Sequence, residues 1–309
     1  MNFYVAVTDG DWFAYLSGSA SIDEVNFWQP SAGRAFKSLQ PGEPFLFKLH
    51  SPRNYIAGGG FFSHYTTLPV SFAWSTFTTK NGAQSLEEMR ARIARYRPTP
   101  PRPTEDYEIG CILLQSPFFF REEDWIPASD WSPNIVQGRG YDTANPAALW
   151  LWQQVEDRLR FDMSMAQLAA AGAEEGAKFG APQLVLPRLG QGSFRVVVTD
   201  AYKRRCAFTG SPVLHVLDAA HIRPYTEKGP HDVRNGILLR QDVHTLFDRG
   251  YITVTPAYRV EVSGRIKEEF ENGQEYYSVH GSPIALPDAR ELCPAQEFLI
   301  WHNENVYVG

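Results

Sequence analysis

Three polar residues in the last third of the chain stand in an order that could serve hydrolysis. They are His221, Asn235 and His244, within LDAAHIRPYTEKGPHDVRNGILLRQDVHTLFDRGYITV (217–254). His244 and Asp248 are four residues apart, so on a helix they share a face, and an imidazole and a carboxylate so placed can share one divalent ion. The elements around them must do the positioning. VLHVLDAAHI (213–222) reads as a strand ending in His221, with Pro224 marking its exit. A polar loop follows, and Asn235–Gly236 turns the chain into the apolar run ILL. QDVHTLFDRG then reads as one or two helical turns closed by Gly250 at the position after the C-cap. His221, arriving from a strand opposite that helix, could meet His244 and Asp248 across a small gap.

In these residues the stretch resembles the HNH endonuclease family, a ββα-metal fold. It is most similar to the branch with an AAHI…NGILL…H-x-LFDRG pattern, here Ala219–Ile222, Asn235–Leu239 and His244–Gly250. The resemblance implies His221 as general base, since a neutral imidazole takes a proton from water near pH 7. It implies that the Asn235 amide fixes the loop and orients that base, and that His244 is a metal ligand with Asp248 as a second ligand or its support. Many relatives carry Asp or His directly before the base, where this chain has Ala220. Asp218, two residues earlier, points the same way by strand alternation and is expected to take over as ligand. The implied cofactor is a divalent metal, Mg²⁺ or Mn²⁺, with Zn²⁺ or Ni²⁺ able to stand in its place in crystals. Paired cysteines for a structural zinc are missing; KRRCAFTG offers Cys206 alone. Lys203, Arg204, Arg205, Arg223, Arg240 and Arg249 are candidates for DNA phosphate contacts. His215 and His231 fit no slot of the pattern and read as structural.

The first 145 residues look different. FYVAV (3–7), PFLFKL (44–49) and YIAGGGFF (55–62) are short strand-like runs bounded by turn residues, with the triple glycine marking a bulge or a close backbone approach. A helix is expected from Ser85, with Glu88 completing a capping box, to a stop before Pro98. CILLQSPFFF (111–120) is a further strand. The segment resembles the EVE/PUA/SRA-type readers of modified bases through NFWQPSAG (26–33), the PGE-strand-GGG pattern of 38–62 and NIVQGRGYD (134–142). Such domains hold a flipped base between aromatic walls. The candidate pocket residues are Trp28, Phe27, Tyr55, Trp74 and Asn26, the NFW segment and Trp74 being placed in loops or strand ends. Arg34, Lys37, Lys48 and Arg53 are available for phosphates on that side.

Together these give an α+β chain with a PUA/EVE-like curled sheet or barrel over 1–145, a helical linker over 146–192 and an HNH domain over 193–309. Its expected function is modification-dependent restriction, a phage defence that cuts double-stranded DNA carrying 5-methyl- or 5-hydroxymethylcytosine. Two rivals stay open: an HNH nuclease for unmodified DNA or for nicking and repair, and a nucleic-acid-binding protein that has lost activity. One such site cuts one strand, so a homodimer is expected, with the 146–170 helix as a candidate interface.

Composition sets outer bounds. The 309 residues are 43% hydrophobic and 21% charged, which is a folded chain. Three widely spaced cysteines form no disulfide framework, and no apolar run is long enough for a membrane span, so a cytoplasmic protein with no membrane partner is expected, a prokaryotic one by the restriction resemblance. The net charge of −6 argues against coating nucleic acid through bulk charge. Local basic clusters, five arginines over 90–102 and five basic residues over 188–205, leave room for grooves that bind it.

Overall fold

The structure, a computed structural model, describes residues 1–19, 21–33, 35–102, 104–129, 131–171, 189–270 and 273–309, with backbone alone over 162–171. The chain divides into two compact units, residues 1–187 and 188–309.

The first unit contains β1 (Asn2–Thr8), α1 (Gly10–Ser17), β2 (Glu24–Gln29), β3 (Pro44–Leu49), β4 (Tyr55–Pro69), α2 (Val70–Phe77), α3 (Leu86–Ala94), β5 (Glu108–Phe119), β6 (Ile126–Pro127), β7 (Gly138–Asp142) and α4 (Pro146–Ala171). Its strands form one mixed sheet in the order β2-β5-β4-β3-β1-β7, with β6 paired to β4. β1 and β3 run parallel, and the other pairs are antiparallel. PFLFKL has no polar alternation because β3 is covered on both faces, as continuous apolar strands usually are. Phe45 and Phe47 meet Phe27 on one face, and Trp12 packs edge-on against Phe27 and Phe47. Leu46 on the other face joins Phe3, Val5 and Ile56 under Ala148, Trp152 and Val155 of α4. The first half of α4 therefore lies in the core of this unit, capped by Asn145, whose Oδ1 accepts from the Ala147 amide at 2.9 Å. The glycine run in β4 gives both expected features. The register against β5 shifts between Gly59 and Phe61, and a Cβ on Gly58 would strike the Phe118 carbonyl. These bulges curl the long strand and the sheet with it.

Two expectations change here. NFW lies inside β2 and Trp74 lies within α2, instead of in loops or strand ends. The arginine cluster over 90–102 is tied into the fold. Arg92 bonds Glu88 and the Gly82 carbonyl, Arg95 bonds Asp11, and Arg97 bonds the Pro30 carbonyl and lies over Tyr107.

The second unit contains α5 (Gln191–Ala201), β8 (Leu217–His221), β9 (Gly236–Arg240), α6 (Gln241–Asp248), β10 (Ile252–Val254), β11 (Val260–Val262), α7 (Arg265–Phe270), α8 (Gln274–Tyr277) and α9 (Gln296–Asn305). β8 and β9 pair antiparallel with His221 opposite Gly236. A two-stranded ribbon is marginal by itself. This one is buried by Phe194 and Val198 of α5 and by Val243 and Phe247 of α6, in a core that continues through Ile252 and Leu299. α6 follows β9 without a loop and stops at Gly250, whose φ of +75° and amide bond to the Phe247 carbonyl close the helix. Among the described residues, no helix is long and apolar enough to cross a membrane.

Candidate active site

His221 sits at the last position of β8, half-buried, with its ring stacked on Phe194 of α5 at 3.9 Å between centroids and 13° between planes. Its Nε2 pairs with Nδ1 of His231 at 3.0 Å. Among the described residues that is the one hydrogen bond of the His221 ring, so Nδ1 is open. Burial first, and then the mutual repulsion of protonated imidazoles at His221, His231 and His244, pushes the His221 pKa down to about 4. The ring is therefore neutral near pH 7 and has a lone pair to offer.

Asn235 is fully buried, and its side-chain hydrogen bonds go to backbone groups. Its Oδ1 accepts from the Arg223 amide at 2.9 Å, and its Nδ2 donates to the carbonyls of Arg223 and Pro230 at 2.9 and 3.0 Å. Its own carbonyl accepts from the Ile222 amide. The side chain thus stitches both ends of the 223–230 loop to the start of β9, which holds the end of β8 in place.

His244, one turn into α6, lies between two carboxylates. Asp218 Oδ2 is 3.9 Å from its Nδ1, and Asp248 Oδ2 is 3.3 Å from its Nε2. Asp218 also accepts from Arg195 at 3.1 Å. The facing imidazole holds the Asp218 carboxyl below the ordinary range, helped by Arg195 and opposed by burial. Burial opposes charge on His244, but the two carboxylates outweigh it and raise its pKa. Burial raises Asp248, against the pull of His244.

The donor chemistry, imidazole with carboxylates, suits a divalent cation. Among the described residues, however, no three His, Cys, Asp or Glu side chains converge as a metal group. The reason is visible at His244: its two carboxylates face opposite ring nitrogens, and one ion bonds only one of them. The full set His244, Asp218 and Asp248 does not close on one ion as these side chains stand. His244 with one carboxylate remains, and cations such as Mg²⁺ accept one or two protein donors while water and phosphate oxygens complete the shell. The residues fit a metal in that two-donor form.

Most of the basic candidates already have partners. Lys203 pairs with Asp288 at 2.7 Å, Arg204 with Asp200 at 3.5 Å, and Arg240 with Asp242 through two bonds of 2.6 Å. Arg205 donates to the Gly210 carbonyl, and Arg223 to the Glu227 carbonyl while lying over Trp301. Arg249 is exposed and makes no ion pair among the described residues.

The base-pocket candidates are not brought together. Trp28 and Asn26 share one face of β2, where both bond Asn81. Phe27 points to the other face, among Trp12, Phe45 and Phe47. Tyr55 opens β4 beside Trp125, and Trp74 is half-buried on α2. Lys48 is buried, its Nζ donating to Asn54 Oδ1 at 2.7 Å, so it is no phosphate ligand; Arg34 lies outside the described residues. One residue of the site escaped the sequence pattern. His231 fits no motif slot, and its only signal was a second histidine in the loop that returns past His221.

Comparison with known proteins bears on the same stretch. Residues 206–255 match the family model described as HNH endonuclease, which supports a nuclease. The match runs from the turn before β8 through β10. No curated protein matches the chain. Among solved structures, the chain is similar to an ASCH protein from Zymomonas mobilis, with 10% identity and a TM-score of 0.34 over 48% of this chain and 92% of that one. It is also similar to the modification-dependent TagI restriction endonuclease, with 12% identity and a TM-score of 0.30 over 98% of this chain and 81% of that one.

Proposed function

We propose that the protein is a modification-dependent restriction endonuclease, in which residues 1–145 select DNA carrying modified cytosine and residues 193–309 hydrolyse the backbone nearby. One observation carries the nuclease half. Within the HNH-matching stretch, the β8–β9 ribbon and α6 present an open imidazole nitrogen beside an imidazole–carboxylate pair. His221 Nδ1 takes a proton from water as the water oxygen bonds to phosphorus. The P–O3′ bond breaks with its electron pair on O3′, which takes a proton from solvent, leaving a 5′ phosphate and a 3′ hydroxyl. Asn235 keeps the base at its place by fixing the loop behind it. A divalent ion held by His244 and one carboxylate would supply charge stabilisation at the phosphate. The selective half rests on the resemblance of the first segment to modified-base readers. Two protomers, each cutting one strand, would give a double-strand break.

A second reading, an HNH nuclease acting on unmodified specific DNA or a nicking or repair nuclease, is favoured by one observation: the four aromatic pocket candidates lie on different faces and elements. One panel separates them. Plasmids that are unmodified, 5-methyl-, 5-hydroxymethylcytosine- and N6-methyladenine-containing are incubated with protein and Mg²⁺ or Mn²⁺. Selective cutting of the cytosine-modified plasmids is expected, and equal cutting of all would leave a nuclease without modification dependence. His221→Ala should abolish cutting while DNA binding persists. Cutting by that variant at the wild-type rate would refute the assignment of the base.

A further inference from the structure

His221 can accept a proton at Nδ1 only if its other nitrogen carries the ring hydrogen. In this fold that nitrogen does not face the buried Asn235. It faces His231 Nδ1 at 3.0 Å, a separation at which one nitrogen must donate and the other accept. We propose that His231 is the positioning residue of the active site. Its Nδ1 accepts from His221 Nε2–H, which fixes the tautomer that leaves His221 Nδ1 free to take the proton of the attacking water. The assignment rests on the nuclease function proposed above.

Three features of the structure hold the two rings in this pairing, and the need for a free Nδ1 on the base sets its direction. His231 is itself oriented, its ring stacked at 13° on Tyr225 and set at 66° to His221, with its Nδ1 within 3.0 Å of His221 Nε2. The loop that carries it is pinned by Asn235 through the carbonyls of Arg223 and Pro230, the latter the residue before His231. Phe194 closes one face of His221, so the ring can turn little without breaking either the stack or the bond. The alternative tautomer, with His231 donating, puts the hydrogen on His221 Nδ1 and removes the base. A neutral acceptor behind the ring also steadies the imidazolium that forms during the reaction, as the acceptors behind metal-bound histidines do for those rings. Should the Nε2 proton pass across the short bond, His221 is left neutral with its new proton on Nδ1, and His231 holds the charge; no atom is gained or lost.

The experiment compares wild type, His231→Gln and His231→Leu in the full chain. Gln keeps an acceptor oxygen, and Leu does not. Cleavage is measured on unmodified and 5-methylcytosine plasmid with Mg²⁺, and ¹⁵N-histidine NMR reads the His221 tautomer without DNA. The wild type should show hydrogen on His221 Nε2. The Leu variant should lose kcat by about 10–100-fold with KM unchanged, the range found when the hydrogen-bond partner behind a functional histidine is removed. It should also show a mixture of His221 tautomers, while Gln recovers most of both. Hydrogen on His221 Nδ1 in the wild type, unchanged kcat in the Leu variant, or equal losses with Gln and Leu would each overturn the proposal. If the nuclease assignment itself fails, wild type and His221→Ala are equally inert, and the NMR arm still decides the tautomer.

Discussion

Asn235 shows how much of the site depends on a residue that meets no reacting atom. It is fully buried with three side-chain hydrogen bonds to the backbone of one loop. Replacing it by Ala leaves the Arg223 amide and two carbonyls without partners, and each unsatisfied buried polar group costs about 1–3 kcal/mol. Asn235→Ala should therefore lose about 2–4 kcal/mol in urea unfolding. Asn235→Asp should be no better. It keeps an acceptor for the amide but turns a carboxylate oxygen towards two carbonyls. A variant that unfolds like wild type would show that the loop is held by other means. The motif made this residue visible, because an Asn before Gly at the mouth of an apolar strand has few other uses. His231 was invisible for the opposite reason: its partner is ten residues away across a loop, and no periodicity reports a contact made by loop closure. The carboxylates were half visible. Helical spacing placed Asp248 beside His244, but it could not show that Asp218 would take the other ring nitrogen and leave one ion with two donors.

At the scale of elements, legibility follows the local signal. Ser85 accepts from the Glu88 amide at 3.2 Å, as the capping box requires, and α3 starts there. Gly250 ends α6 as its position after the last apolar residue implied. α1, α2 and β2 were not legible, since DWFAYL, VSFAWSTF and EVNFW are aromatic-rich runs in which nearly every side chain packs and neither period dominates. The C-terminal helix α9 hides a further dependence. His302 is 2% exposed, stacked on Phe247 of α6 at 3.8 Å; its Nε2 donates to the Phe247 carbonyl and its Nδ1 accepts from Thr253 Oγ1. Burial pushes its pKa down to about 4, against the pull of the Phe247 carbonyl. The ordinary value of about 6.5 holds in the unfolded chain, so between 6.5 and 4 the unfolded state binds more protons and stability falls as pH falls. From pH 7 to pH 5 the second unit should lose about 2 kcal/mol through this residue, and His221 contributes with the same sign. Urea midpoints at the two pH values test it. His302→Gln should flatten the dependence, and an undiminished slope in that variant would remove His302 as its source. Gly250→Ala addresses the helix end: φ of +75° costs an L-residue about 1 kcal/mol, and the added Cβ strikes the Val306 carbonyl. Its melting temperature should drop further than that of Ser85→Ala, where about 1 kcal/mol of capping is lost.

At the scale of the whole molecule, the charge is unevenly divided. Residues 188–309 hold 14 Lys and Arg against 15 Asp and Glu, while residues 1–187 hold 15 against 20. The unit with the HNH match is near neutral, and the excess of acid lies in the other. Nor are the two basic clusters equivalent. Of the arginines of 90–102, Arg90, Arg92 and Arg97 bond carbonyls of their own unit, so they hold the fold and offer little to DNA. Around the site, Lys203 and Arg240 are held by partly exposed acids; an exposed pair is worth only about 0–1 kcal/mol, so a phosphate can take the acid's place. Arg249 needs no exchange at all. Binding should accordingly be weak off target and strongly salt-dependent, because each neutralised phosphate releases counterions. The measurement uses His221→Ala, which should bind without cutting, on a duplex carrying 5-methylcytosine, with affinity followed from about 50 to about 200 mM KCl. Adding Arg249→Ala should reduce the slope of log affinity against log salt by about 1, as expected for one lost phosphate contact. Adding Arg97→Gln should leave the slope unchanged, since that guanidinium is occupied by the Pro30 carbonyl and the face of Tyr107. The reverse pattern would move the DNA track to the 90–102 cluster, and with it the surface along which the duplex is held.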